Sequence, residues 1–515
     1  MTFFRAIRPG VFWPPALILI GCVAASLIDF DRFLSASNAA NRFILTHFDW
    51  LFTSASFAAV VLILAVFVSP LGSTRIGGSN AVPVLSRWNW FAITLCTTIA
   101  VGILFWGTAE PISHYANPPA FADIDPRSPA AAQFAFSATF LHWTLTPYAL
   151  YAVTTLAFAL SYHNHAQPYS LSAIIAVFLG QTDRPQRHRL GALLDMLALF
   201  ALVAGVAAAL GAGVMTLTAG LDRVANINQS LISTLIVTIM IVLVFIVSSL
   251  SGLQKGIRIL SDWNVRLFIA LAIFIFVAGP SLTVVGLGVD GLAAYLKSFI
   301  PASLTLGERG ADPWVHDWTV YFFANWLAWA PITALFLGRI AVGYTVREFI
   351  LFNLILPALF SVVWMTILGG GAIEADRATG GSLVGALTTN GPEAVIYGLF
   401  DTLPIPTFIT IIFLITVFIS FVTAMDSNTL SISHLCLKSN QSDGTGTEIV
   451  SAKIKLFWGL LIGGLSFVMT ATTGIDGVRV LSNLGGVPGL LILILSGAVL
   501  IRLMLFPNRQ KISGN

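Results

Sequence analysis

Four aromatic side chains, Trp318, Phe322, Trp326 and Trp329, follow one another at steps of four, four and three. That spacing places them on one stripe of an α-helix. Asn325 stands three after Phe322 and four before Trp329, so it shares the stripe, and Pro331 follows just inside the same apolar run. A second group lies in the stretch HWTLTPYALY, residues 142–151. There Trp143, Tyr148 and Tyr151 fall within a ~140° arc of a regular helix. Pro147 must distort that helix locally. Aromatic residues in membrane helices commonly anchor them to lipid or to one another. Gathered around one point, their ring faces hold a cation instead, each contributing about 0.5–2 kcal/mol. Two such groups in one chain make a cation box available.

Other polar residues invite chemistry less directly. In FWGTAEP, residues 105–111, Glu110 sits at a membrane boundary before Pro111. It reads either as an interfacial acid at a helix stop or as a gate element near a permeation path. Asp195, Asp262, Arg266 and Asp426 lie within apolar runs. Charges there are costly and are expected to pair or to cap helix ends. The eight histidines form no metal-ligand cluster along the sequence, and His163 and His165 are expected in a solvated cytoplasmic loop. Cys22, Cys96 and Cys436 read as small core residues rather than a disulfide framework.

The elements that carry these residues are membrane spans. The chain has 515 residues, is 57% hydrophobic and only 10% charged. A soluble domain of this size could not hide so much apolar sequence. Its net charge of +3 gives no argument for nucleic acid. Twelve spans are predicted, at 11–29, 48–70, 88–110, 131–162, 190–220, 230–250, 257–285, 314–341, 351–371, 405–437, 452–472 and 486–506. Arg5 and Arg8 precede the first, which reads as an uncleaved span rather than a signal peptide. Basic residues such as Arg75, Arg87, Lys255, Arg258, Arg339, Arg347 and Lys438 fall on one side. Acidic ones such as Asp123, Asp222, Asp290, Glu374 and Asp401 fall on the other. Roughly 17 basic residues lie on the first side against about 8 on the second, so both termini are expected in the cytoplasm. Segment 286–304 looks too polar and too broken to span and is expected to lie along the outer surface. Segment 342–350 is expected to do the same on the cytoplasmic side.

Taken in order, WGTAEP, HWTLTPYALY, SGLQKGIRILSDWN and DWTV…WLAWAP…RI…REF resemble the betaine/choline/carnitine transporter family, over about residues 10 to 505. The resemblance implies an all-α polytopic membrane protein of the LeuT type. Two inverted five-helix repeats, spans three to seven and eight to twelve, would follow two extra N-terminal helices. The units are then 1–87, 88–285, an outer interfacial segment 286–313, 314–506, and a tail 507–515. It further implies secondary transport of a quaternary-ammonium or related zwitterion across a bacterial inner membrane, commonly by a homotrimer. Carried over by position, Trp143, Tyr148, Tyr151 and Trp326 match the family's box for a trimethylammonium head, and Trp329 matches a second aromatic nearby. The physics agrees, because a methylated ammonium has no hydrogen to donate and ring faces are its natural partners.

Three departures bear on substrate and coupling. The family's glycine-rich stretch in the third span is here Thr98-Ile99-Ala100-Val101-Gly102, with one glycine kept. Ala100 and Gly102 are expected to face the substrate's anionic end. Choline-selective members tend to carry Asp at the position of Gly102, so its absence favours a zwitterion. Asn325 stands where the family usually has tryptophan. It reads either as a polar contact to the substrate or as a hydrogen bond to another helix. Sodium-dependent members pair a Thr and a Ser in the tenth span with third-span carbonyls, oxygen ligands of the kind hard cations take. The pair here is Thr423-Ala424. The expected site is a weakened, mostly backbone one around Cys96, Ile99, Ser420 and Thr423. Sodium-independent exchangers carry an arginine where this chain has Asn264, so that arginine is absent here; choline- or carnitine-type transport by proton coupling or ion-independent exchange stands as the alternative to a sodium-coupled zwitterion carrier.

A membrane enzyme or receptor would need convergent catalytic groups, metal ligands or a soluble domain, and the sequence displays none. About ten residues follow the last span, so no tail-based osmotic activation is expected.

Overall fold

The computed structural model describes residues 6–99, 102–181, 189–250, 254–306, 312–438 and 445–506, with the side chains of Ile99, Arg189, 249–250, 254–258, Asp426, 445–450 and Thr472 outside that description. Among the described residues, 12 helices and one bent helix pair are long and apolar enough to cross a membrane. β-Pairing among them is confined to two isolated bridges, Ile7 to Leu437 and Arg75 to Thr345.

The first two spans are α1, Pro9–Ile28, and α2, Phe30–Val68. The predicted second span began at residue 48. The helix starts much earlier because Asp29 caps it, its side chain accepting from the Arg32 amide at 3.0 Å. The third span is a pair, α3, Arg87–Ile99, and α4, Gly102–Ala116, bent by 59°. The fourth is also two helices, α5, Pro129–Trp143, and α6, Leu145–Ala159. Pro147 explains the break. It cannot donate to the carbonyl of Trp143 and its ring crowds that carbonyl, so the chain leaves helical geometry at Thr144 (φ −117°, ψ −110°).

The next spans are α7, Arg189–Ala225, α8, Leu231–Leu250, and α9, Gln254–Ala278. The second half comprises α11, Tyr321–Ile340, α12, Leu356–Ala378, α13, Pro406–Cys436, α14, Thr445–Thr473, and α15, Ile475–Leu505. Between the halves runs α10, Ser281–Leu304.

Two expectations change here. Segment 286–304 is not broken: it belongs to the continuous 24-residue α10, which passes the length and composition test for a span although little of it is buried. Two of its glycines, Gly288 and Gly291, serve packing. A Cβ at Gly291 would stand 2.2 Å from Phe136 Cβ on α5, so the two helices approach closely there. Segment 342–350 does not form a separate surface helix. From Val346 it is the first turns of a helical run that continues through a π-turn into α12. The Thr345–Glu348 capping box starts that run, each side chain satisfying the other's backbone amide.

The core is built where α11 meets α15. A Cβ on Gly486 would lie 2.6 Å from Ala324 Cα, and one on Gly489 would lie 2.0 Å from the Leu327 carbonyl oxygen. Small residues thus let the two backbones touch, which fixes the helix carrying Asn325, Trp326 and Trp329.

The charges inside apolar runs are paired where they are described. Asp195 is fully buried and meets Arg8 at 2.7 Å, with Ser170 and the Leu171 amide also donating to it. Asp262 accepts from Arg266 at 2.9 Å and from the Trp88 indole at 2.7 Å. The three cysteines are free.

Candidate functional site

Trp326 is the hub of the aromatic cluster. Its ring centroid lies 5.1 Å from Trp143, 5.6 Å from Tyr151 and 6.2 Å from Tyr148. The first two contacts are edge-to-face, at 82° and 83°. All four rings are buried. At these separations the rings touch. A cation held between them therefore requires the rings to part, or rests against the faces they present together.

The helix break at Thr144 is what sets this geometry. Ending α5 at Trp143 frees carbonyls that an unbroken helix would have used. The Trp326 indole N–H donates to the His142 carbonyl at 2.9 Å. The Trp143 indole N–H donates to Glu110 Oε2 at 2.6 Å. Both central indoles are held by their polar edges, which fixes how their rings are turned. The Tyr148 hydroxyl is shared with Ser361 Oγ at 2.8 Å.

Other expected site residues fall differently. Gly102 opens α4 beneath the Trp143 ring, and a Cβ there would stand 3.1 Å from Trp143 Cη2. Its lack of a side chain makes room for the box. Ala100 and Val101 lie outside the described residues. Trp329 is buried against Gly205 of α7, whose Cβ would meet its ring at 3.0 Å. Phe322 is the ring that extends the cluster instead, 5.4 Å from Trp143 and stacked on His142 at 4.9 Å. Asn325 is one residue, about 100°, round the helix from Trp326. Its Oδ1 accepts from Ser482 of α15 at 2.9 Å, so the structure displays the inter-helix bond rather than a contact with the rings.

The expected sodium ligands are brought together in part. Asn264 of α9 bridges α3 and α13: its Nδ2 donates to Ser420 Oγ at 2.9 Å and lies 3.6 Å from Cys96 Sγ. The Thr423 hydroxyl donates back to Ile419 and Ser420 carbonyls, both at 3.0 Å, and keeps its own lone pairs. Thr97 reaches Ser427 at 3.4 Å. Ile99 contributes only its place at the end of α3. The hydroxyls are largely satisfied by protein partners, so oxygen ligation of a cation here would rest on backbone carbonyls and Thr423.

The sequence reading of Glu110 and of the histidines needs correction. Glu110 is not an interfacial acid at a helix stop. Its helix continues through Pro111 to Ala116, and the carboxylate is fully buried. Glu110 Oε1 lies 2.6 Å from His142 Nδ1 and 3.4 Å from His114 Nε2. One ligand atom from each of the three lies within 4.8 Å of the others, so two histidines do cluster with an acid. A metal fits this set poorly. The Trp314 indole N–H can only donate, and it lies 3.2 Å from His114 Nδ1. Nδ1 therefore carries the lone pair and Nε2 the proton, and a protonated Nε2 cannot ligate. His163, expected in solvent, instead bonds the Gly338 carbonyl at 3.0 Å.

The comparisons with known proteins point one way. The profile described as "BCCT, betaine/carnitine/choline family transporter" matches residues 10–506. "Glycine betaine transporter 1" of Vibrio parahaemolyticus is 32% identical over 473 residues, covering 90% of this chain and 86% of the relative. "Glycine betaine transporter OpuD" of Bacillus subtilis is 28% identical, covering 94% of this chain and 92% of its own. The "Ectoine/hydroxyectoine transporter" of Virgibacillus pantothenticus is 27% identical, with 96% of each chain covered. Among solved structures, a Na+-coupled sialic acid symporter in a substrate-bound, outward-open state aligns with a TM-score of 0.52 at 14% identity, over 87% of each chain. That likeness is one of fold, and it is the LeuT-type fold expected from the sequence.

Proposed function

The chain belongs to the betaine/carnitine/choline transporter family, and from that premise we propose that it imports a glycine betaine-like zwitterion by alternating access. The observation that carries this reading is the convergence of Trp143, Tyr148 and Tyr151 on Trp326. A trimethylammonium group offers no hydrogen-bond donor, and buried ring faces stabilise its charge in a site that excludes water. The backbone around Ala100 to Gly102 takes the anionic end. A helix N-terminus such as that of α4 favours negative charge. Gly102 offers no carboxylate, which supports a zwitterion over choline.

Sodium is the proposed coupling ion, held by third-span carbonyls near Cys96 and Ile99 with Thr423 on α13. Asn264 occupies the neighbourhood as a neutral bridge rather than a fixed cation, which supports an ion-dependent mechanism over ion-free exchange. The protein is proposed to work as a homotrimer in the bacterial inner membrane, with both termini cytoplasmic and α10 along the outer surface.

A thermal-shift panel tests the substrate class. Glycine betaine is expected to raise the melting temperature of the detergent-solubilised protein, and more so with sodium than with potassium, as a ligand that binds only the folded state must. A shift with choline or carnitine and none with glycine betaine would overturn the reading.

A further inference from the structure

We infer that Glu110, His142 and His114 form a proton-binding site whose charge sets the cation affinity of the aromatic box. The inference rests on the glycine betaine-class reading of that box for its second half only.

The hydrogen bonds define the proton inventory. Because Trp314 donates to His114 Nδ1, His114 gives its single proton through Nε2 to Glu110 Oε1. His142 shares a proton with the same oxygen through Nδ1 at 2.6 Å. The other oxygen, Oε2, is taken by Trp143. With both imidazoles neutral, the cluster is a buried anion whose carboxylate accepts three N–H groups.

One further proton has a prepared place. His142 Nε2 lies 3.0 Å from the Thr319 hydroxyl. A hydroxyl either donates or accepts. It donates to the neutral ring and, after rotating, accepts from the protonated one. The cluster therefore gains a proton and becomes neutral with no hydrogen bond lost.

The link to the box is direct. Glu110 holds the Trp143 N–H, and the His142 carbonyl holds the Trp326 N–H. The anionic cluster stands one indole's width from any cation resting on the Trp143 face. It attracts that cation through a low-dielectric interior. Protonation removes the attraction, so substrate cation and proton oppose each other, and the linkage is reciprocal.

Other charged groups face the cluster from the packed elements. Arg479 of α15 acts on His114 electrostatically, lies over Trp318 and Tyr321 at 5.0 and 5.8 Å, and meets Asp476 at 3.5 Å. Tyr321 of α11 packs against Trp106 and Phe322, and Asp317 and His316 lie at the start of that span. From α10, Tyr295 reaches Thr144 at 3.1 Å. From α12, Glu374, Asp376 and Arg377 pair at the outer end of α4 with one another, Arg127 and Tyr115. Glu393 lies beyond them. None bonds the two imidazoles or the carboxylate.

Two measurements on the full detergent-solubilised chain test the inference. In ¹⁵N-histidine spectra recorded as a function of pH and assigned with His142→Gln, the His142 ring signals are expected to report uptake of the further proton. That titration is expected to move or vanish in Glu110→Gln. A His142 ring that does not titrate in the wild type overturns the proton site, whatever the substrate. In calorimetry with glycine betaine, the binding heat is expected to vary with the ionisation enthalpy of the buffer, reporting proton release. The affinity should weaken roughly fivefold or more from about pH 8 to about pH 5.5, the lower end of ordinary coupling between two sites. Buffer-independent heat with pH-independent affinity in the wild type overturns the link to the box. If His142 titrates and glycine betaine does not bind at any pH, the proton site is upheld and the proposed substrate class fails instead.

Discussion

The indole N–H of Trp143 donates to Glu110 Oε2 at 2.6 Å, so a ring of the aromatic box is anchored by a fully buried carboxylate on the neighbouring span. The contact fixes how the ring is turned. It also means that removing the N–H has a cost separate from removing the ring. Trp143→Phe keeps a ring face and leaves Oε2 short of a donor, a loss of about 1–3 kcal/mol. Apparent substrate affinity should fall roughly tenfold, since about 1.4 kcal/mol is one decade. Trp143→Ala should lose more, because the face goes too. Equal KM values for the Phe and Ala variants would show that the anchor, not the face, is what matters.

Asn325 gives the next prediction. Its Oδ1 accepts from Ser482 on α15, a strut between helices, and we propose that this is its main role. Asn325→Leu should lower thermal stability by about 1 kcal/mol and leave the order of competing onium compounds unchanged in an uptake-inhibition panel. A changed order with unchanged stability would return Asn325 to the pocket.

The buried pair of Arg8 and Asp195 ties the N-terminal segment to α7 at 2.7 Å, and Arg8 also donates to the Leu435 carbonyl at 2.9 Å. Asp195→Ala strands a buried guanidinium and should cost about 3–5 kcal/mol. Replacing both partners with leucine should recover much of that loss. The check is the melting temperature of the single and double variants.

Glu393, in the loop between α12 and α13, is buried, with Oε2 unpartnered among the described residues. Burial pushes its carboxyl up to about 7. The fold therefore prefers the neutral acid. Its stabilising share is fully present below the ordinary carboxylate range, near pH 4.5, and is lost as pH rises through about 7. Glu393→Gln should match the wild type at low pH and be more stable at pH above about 8, by at most about 3 kcal/mol. Identical melting curves for the two proteins across that range would contradict the assignment.

Much of this architecture could be read from the sequence because a membrane imposes long apolar runs and a charge bias on what it holds. The twelve spans and the rings at 143, 148, 151 and 326 were legible for that reason, and for their helical spacing. What escaped was set by contacts between helices. Glu110 and His114 share one helix face at i and i+4, yet His142 joins them only because α4 and α5 pack together. Pro111 read as a stop, but a proline near the outer end of a helix did not end it. The available signal was cost: an acid and two histidines in apolar helices must find partners, and the nearest candidates were one another. Segment 286–304 misled in the opposite sense. It looked too polar and too broken to span, yet it is helical throughout, and its Gly288 and Gly291 are places where α10 meets α12 and α5 closely.

The central claim is that Trp326 and the three rings converging on it bind the substrate's cation. Its most direct test is glycine betaine binding and uptake by Trp326→Leu reconstituted in proteoliposomes, beside wild type inserted at the same level. Losing one desolvated ring face of about 2 kcal/mol, together with the ring that orders the other three, should reduce binding by well over tenfold and abolish measurable uptake. Binding and uptake unchanged from wild type would contradict the account.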